Sequence, residues 1–433
     1  MTLTSAPTTD QPAKAKQRLE RSAAGTALGA FGLAAIIGVV AAGLHVLAQQ
    51  SPRIGPVFAG WPESVDGSAL AAVRWLLGDM AEPLFYKSEL AALGLLGGAG
   101  LAWWAGRRRQ RWAGGLSYGT GLWPWILASA SGTLLLSNAA FGWMLDDGWQ
   151  PTFVPFVCVA PAVVLVHGAG WKTCLSGAVL GAATTTPLAL LLIPMVSEPL
   201  GLPSVVANVL AMSLGSVVSF MIIRRLPWLV GGGLSGGGPS TPIPALREPV
   251  APEPEPEPKR SGRPNQPASF VSPRWSFRGD AVWAAGRVLK DFTETFFVAN
   301  ELASVGVILG VATAFVLNPG LPAYGSGLLP HVLFAQALAS AAGVVLWRCW
   351  FRNDGWAATY APVVSVAPAA VLAFGGSWTA ILGGAFLGAL LGPPIARCIS
   401  ARLPAGFHPV IGNTAAMAVS TAVVLPVLGL LPH

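Results

Sequence analysis

Read for hydrophobicity alone, the chain alternates long apolar runs with short polar breaks, and one long polar interval divides it near the middle. The first apolar run, Ala23–Leu47, is long enough to cross a bilayer as one helix. Five further spans are predicted before the polar interval: Phe85–Trp104, Gly121–Phe141, Thr152–Val166, Thr173–Val196 and Ser204–Ile223. Five are predicted after it: Phe296–Leu317, Gly327–Trp347, Thr359–Phe374, Thr379–Ala396 and Pro409–Leu430. The expected organisation is a cytoplasmic tail over residues 1–22, a first transmembrane helix over 23–48 and a five-span unit over 70–226. A linker over 231–273 and a second five-span unit with an interfacial helix over 274–433 complete it. The linker carries GGGLSGGGP and PEPEPEPKR, a composition that cannot bury apolar surface and is expected to be disordered with polyproline character. Within Arg274–Asp291, Arg274, Arg278, Arg287 and Lys290 are mixed with Trp275, Phe277, Trp283 and Leu289. That mixture fits a helix lying on the anionic cytoplasmic membrane surface, or an extension of the next membrane helix.

Composition agrees with a membrane class. Of 433 residues, 53% are hydrophobic and 10% charged, against roughly 25% charged in a soluble domain, and the mean hydropathy is +0.60. Lys and Arg exceed Asp and Glu by 26 to 19, but the basic residues cluster at span ends, as the positive-inside rule requires. Nucleic acid is therefore not an expected partner; the lipid bilayer is. Cys158, Cys174, Cys349 and Cys398 lie in or beside apolar segments without metal-ligand spacing and read as buried small hydrophobes.

The two five-span units are copies of one another. Asp79, Glu82, Phe85, Glu89, Leu90, Ala91 and Gly94 recur at the same spacing as Asp291, Glu294, Phe297, Glu301, Leu302, Ala303 and Gly306. Tyr118-Gly119-Thr120-Gly121-Leu122 recurs as Tyr324-Gly325-Ser326-Gly327-Leu328. Asp147-Gly148-Trp149 with Thr152 and Pro155 recurs as Asp354-Gly355-Trp356 with Thr359 and Pro362. Pro161 matches Pro368, and Asn208 with Met212 matches Asn413 with Met417. Each copy holds an odd number of predicted spans, so the second should enter from the opposite face. Charge is an independent test. Arg107, Arg108, Arg109 and Arg111 follow the first span of copy one, where copy two has the uncharged stretch Pro319–Pro322. Arg348 and Arg352 follow the second span of copy two, where copy one has Asp146 and Asp147. The basic clusters alternate as inversion requires. The expected fold class is all-α: a polytopic membrane protein of about 11 transmembrane helices, in two inverted five-helix repeats plus an extra N-terminal helix. The N-terminus and linker are expected in the cytoplasm of a cell-membrane protein, and the C-terminus outside.

Inverted repeats place substrate routes at their interface, near the bilayer midplane. Glu89 and Glu301 each sit just inside an apolar span, where a carboxylate either faces a cavity or partner, or sits at headgroup depth against the positive end of a helix dipole. Asp79, Glu82 and their copies read as surface or capping acids. Pro155, Pro161, Pro362 and Pro368 interrupt the third spans and suggest broken helices, either gating a route or kinking for packing. Asn208 and Asn413 are paired amides that bond a solute or tie helices together. Nucleotide-binding, nucleophile-elbow and zincin motifs are absent, and no cofactor or enzymatic activity is expected.

Phe296-Phe297-Val298-Ala299-Asn300-Glu301-Leu302-Ala303-Ser304 resembles the opening of each half of the urea transporters, and Leu403-Pro404 resembles the Leu-Pro element before their last span. Glu89 and Glu301 stand where that family carries proline. The resemblance implies a pore on a pseudo-two-fold axis, a trimeric homo-oligomer, and a slot formed by Phe85 and Phe297 for a planar amide. The expected function is a transporter or channel for a small polar solute, with a pathway through Glu89, Glu301, Phe85, Phe297, Asn208 and Asn413. The alternatives are a scaffold recruiting a cytoplasmic partner through the linker, and a membrane-embedded enzyme acting on a lipid.

Overall fold

The structure, a computed structural model, describes residues 11–230 and 277–432 except positions 52, 56, 66, 148 and 149, with side chains from Ala23 onward save at 145–147 and 230. The linker and the first residues of the expected interfacial helix lie outside the described residues. The principal helices are α1 (Gln11–Ala48), α2 (Ala69–Ala81), α3 (Glu89–Arg107), α4 (Trp123–Phe141), α5 (Val159–His167), α6 (Trp171–Leu192) and α7 (Ser204–Ile223). They continue as α8 (Phe277–Glu294), α9 (Glu301–Leu317), α10 (Leu329–Leu346), α11 (Val366–Phe374), α12 (Trp378–Ser400) and α13 (Val410–Gly429). Among the described residues there is no strand.

Among the described residues, six helical stretches are long and apolar enough to cross a membrane: Ala23–Ala48, Trp171–Ser197, Ser204–Ile223, Leu329–Leu346, Trp378–Ser400 and Val410–Gly429. By length and composition the chain is therefore a multi-pass membrane protein. The helical stretches Val154–His167 and Ala361–Phe374 are shorter than a span. Each is broken where the third spans were predicted. A 3₁₀ turn over Val154–Val157 and another over Ala361–Val364 lead through Cys158 (φ −138°, ψ −87°) and Ser365 (φ −143°, ψ −89°) into α5 and α11. Pro155 and Pro362 open the 3₁₀ turns, where a missing N–H costs nothing. Pro161 and Pro368 fall in the first turns of α5 and α11 for the same reason. The carbonyls freed by the break are occupied: Cys158 Sγ donates to Val154 O at 3.4 Å and Ser365 Oγ to Ala361 O at 2.7 Å. Gln336 Nε2 donates to Val363 O at 2.9 Å.

Small residues bring α3 and α9 together. A Cβ on Gly94 would stand 2.0 Å from Gly306 O, and one on Gly306 would stand 2.1 Å from Gly94 O. Gly98 meets Leu302 O at 2.4 Å in the same sense, and Gly310 meets Leu90 O at 2.2 Å. Each contact is the other with the repeat-equivalent residues exchanged, so the approach of α3 to α9 is reciprocal. The backbone repeats the pattern, with Ser117 N donating to Val298 O at 2.8 Å and Ala323 N to Tyr86 O at 3.2 Å. Serine and asparagine caps start these helices: Ser88 Oγ accepts from Ala91 N, and Asn300 Oδ1 from Leu302 N and Ala303 N.

The helix of α1 runs from Gln11, within the expected tail, through the first apolar run. The described part of the stretch Arg274–Asp291 belongs to α8, which packs against α1: Gly25 meets Phe277 O and Gly29 meets Ala281 O, and Arg287 and Asp291 are buried.

Candidate functional site

The turns that join α2 to α3 and α8 to α9 hold the same backbone. Phe85 and Phe297 adopt left-handed φ of 65° and 58°, and Lys87 and Ala299 follow at 39° and 47°. A left-handed conformation is costly for a large residue, and such strain concentrates at functional sites. The turn directs Phe85 into a cavity of about 380 Å³, also lined by Glu82, Asn208, Phe153, Tyr324 and Tyr360. The equivalent turn directs Phe297 into a second, far smaller pocket of about 20 Å³, lined by Glu294, Asn413, Tyr118, Tyr360 and His408. Tyr360 and Val410 belong to both walls. Glu82, Phe85, Asn208 and Tyr324 in the larger lining have their repeat equivalents Glu294, Phe297, Asn413 and Tyr118 in the smaller one.

The two pockets differ in what closes them. In the smaller one Phe297 packs on His408 with ring centroids 5.5 Å apart, leaving room for about one water. In the larger one Pro203 takes the equivalent place, so that pocket stays wide. Burial lowers the His408 imidazole to about 4, and its Nδ1 accepts from Val410 N at 3.0 Å. The ring is neutral at pH 7. The paired amides face the pockets with unused acceptors. Asn208 is 3% exposed and its Oδ1 has no partner; Asn413 is 4% exposed, donates from Nδ2 to Tyr360 Oη at 3.0 Å, and also leaves Oδ1 without one.

Behind each pocket lies a buried charge cluster. Lys87 Nζ bonds Asp79 and, at 2.8 Å, Glu82, while standing 3.6 Å from the Trp75 ring centroid. Asn138 and Thr152 donate to Asp79 Oδ2 at 2.9 and 2.7 Å. In the other half Arg287 bonds Asp291 at 2.6 Å and Glu294, and Ser340 and Thr359 donate to Asp291 at 2.5 and 3.0 Å. Asp79, Glu82, Asp291 and Glu294 are at most 2% exposed. The surface-acid reading of all four is therefore corrected: each is ionically paired inside the protein, where an acid without a partner would be prohibitively costly.

Of the sequence-predicted residues, Phe85, Phe297, Asn208 and Asn413 line the pockets. Glu89 and Glu301 line neither. Each is the first residue of its helix, favoured by the helix dipole and held by a cation: Glu89 by Arg74, whose Nε lies 2.9 Å away, and Glu301 by Lys290 at 3.3 Å. Pro155, Pro161 and Pro368 stand away from the pocket linings, as does Pro362. Cys158 and Cys174 are buried as expected, but Cys349 and Cys398 are exposed.

Lys87, Arg287, His408 and the three pocket tyrosines were not assigned to the site from sequence. Tyr118 and Tyr324 belong to the repeated Tyr-Gly-x-Gly-Leu motif, and Thr152 and Thr359 to the repeated Asp-Gly-Trp-x-x-Thr motif, so their recurrence was the available signal. Lys87 and Arg287 had none, since neither has a charged counterpart: Ala299 and Trp75 occupy the equivalent positions.

No protein-family profile, curated protein or solved structure matches the chain. The fold and site themselves define the class: an all-helical multi-pass membrane protein with a partly polar internal cavity.

Proposed function

We propose that this chain is an integral membrane transporter or channel for a small polar solute, whose route runs between two five-helix repeats inverted in the membrane. The observation that carries this reading is the pair of pockets. Residues equivalent under the repeat line both, the two share Tyr360 and Val410, and one is wide while the other is closed by Phe297 on His408. A route made of two symmetry-equivalent half-sites, open at one end, is what alternating or gated access needs. Reciprocal contacts of α3 with α9 support a pseudo-two-fold axis, and the alternating arginine clusters support inversion and 11 crossings, with shorter segments completing the count.

With the N-terminus in the cytoplasm, Phe58, which follows the far end of α1, puts the wide cavity on the outer face. The residues of the pathway are then Phe85, Asn208 and Glu82 on the outer side and Phe297, Asn413 and Glu294 on the inner. The resemblance to urea transporters makes a trimer and a planar solute part of the same proposal.

The test is uptake into proteoliposomes of purified protein, with small amides, amines and organic acids, with and without a pH gradient. Flux that falls in Asn208→Leu and Phe297→Trp supports the route. Folded protein that moves none of these solutes overturns it. Topology is tested by accessibility of single cysteines at positions 110 and 319, which inversion puts on opposite faces.

A further inference from the structure

The wide cavity offers a ligand mostly hydrocarbon. Val205, Val209 and Met212 of α7, Leu372 of α11 and Met417 of α13 line it together with Phe85. An ion entering such a space exchanges its hydration for apolar contact, at a cost that only a waiting counter-charge offsets. Among the described residues no Lys, Arg or His side chain lines the cavity, and Glu82 is its one carboxylate. That carboxylate is already engaged, by Lys87 at 2.8 Å and by the Tyr324 hydroxyl. Two further polar groups of the wall are engaged within the protein as well. The Tyr360 hydroxyl accepts from Asn413 Nδ2 at 3.0 Å, and Thr414 Oγ1 donates to Val410 O at 2.9 Å. Asn208 differs: its Oδ1 is an acceptor without a partner, on a side chain 3% exposed at the cavity wall. A buried acceptor left unmade costs free energy until a donor arrives.

We propose that the cavity binds an uncharged molecule with a compact apolar body and an N–H or O–H donor, of the aryl- or alkyl-amide or alcohol type. The donor bonds Asn208 Oδ1, and the body fills the space between α7, α11 and α13. The volume of about 380 Å³ falls within the range of small-molecule sites, roughly 300–1,000 Å³, which pair apolar walls with a few placed polar groups. A solute as small as urea makes the hydrogen bond but leaves most of the wall without contact. The proposal names the solute class of the transport reading above and rests on that reading for its route, but not for the binding site.

Five probes separate the cases. Benzamide is neutral with an N–H donor, and acetophenone is a near-isostere without one. Benzamidinium and benzoate carry charge, and urea has the donors without an apolar body. Binding is measured by titration calorimetry on the full chain in nanodiscs, with empty nanodiscs subtracted for partition into lipid, and uptake in proteoliposomes. Benzamide is expected to bind about tenfold or more tighter than each of the other four, tenfold corresponding to about 1.4 kcal/mol, the scale of one buried hydrogen bond. In Asn208→Leu its advantage over acetophenone should vanish while acetophenone still binds, an outcome that a misfolded variant could not give. Benzamidinium or benzoate binding as tightly as benzamide overturns the neutral assignment. Urea doing so overturns the apolar body, and acetophenone doing so in the unaltered protein overturns the role of Asn208. The expected ranking in binding, without flux of any solute, supports the site and overturns the transport reading. Urea flux without benzamide binding overturns the site and leaves transport standing. Neither binding nor flux overturns both.

Discussion

Lys87 and Arg287 each bridge one of two equivalent carboxylate pairs, from opposite ends of the repeated unit. Lys87 reaches back to Asp79 and Glu82 from the turn after α2, whereas Arg287 reaches forward to Asp291 and Glu294 from within α8. The position equivalent to Arg287 is Trp75, and the Lys87 ammonium stands over that indole. The two halves have kept the buried acids and exchanged the cation's place, so the electrostatic requirement persisted while its sequence position did not.

That relationship predicts an intramolecular rescue. Lys87→Ala should destabilise the protein by about 3–5 kcal/mol, the usual cost of leaving a buried charge unpaired. Lys87→Ala combined with Trp75→Arg, which copies the arrangement of the second half, should recover part of that loss. Thermal unfolding of the detergent-solubilised single and double variants checks this; a double variant less stable than Lys87→Ala would refute it.

The α3–α9 crossing predicts a sharp contrast among glycines. Gly94→Ala or Gly306→Ala forces a methyl to about 2 Å from a carbonyl oxygen and should cost at least about 1–3 kcal/mol by overpacking. Gly97→Ala and Gly100→Ala, where nothing lies within 4 Å, should leave stability unchanged or slightly improved. Unfolding midpoints of the four variants decide the point.

His408 predicts both a pH effect and a gate effect. Its folded-state value of about 4 lies below the ordinary value of about 6.5, so the unfolded chain takes up the proton first. Its contribution to stability is complete above about pH 6.5 and is lost as the pH falls toward 4. His408→Phe should remove that part of the acid sensitivity. His408→Ala should widen the closed pocket and raise solute flux in proteoliposomes.

Glu301 is predicted to be dispensable for the route. It lies outside both pockets in a partly exposed pair with Lys290, so Glu301→Gln should cost at most about 1 kcal/mol and leave flux near wild type. A loss of flux as large as that of Asn208→Leu would return Glu301 to the pathway.

The sequence by itself determined the membrane class, the internal repeat, and the breaks in α5 and α11, because these depend on local hydropathy, recurrence and proline chemistry. It also marked Asn208 and Asn413 by recurrence, and Phe85 and Phe297 by recurrence together with the family resemblance. Only the tertiary structure decided which carboxylates matter to the cavity. Asp79 and Glu82 look like ordinary helix-end acids in one dimension, and Glu89 and Glu301 look like charges stranded in apolar spans. Burial reverses the two pairs, because the turns after α2 and α8 fold inward and carry the first pair into the core. The cation partners were illegible for the same reason: Lys87 and Arg287 occupy non-equivalent places in the repeat, and only folding brings them to equivalent carboxylates.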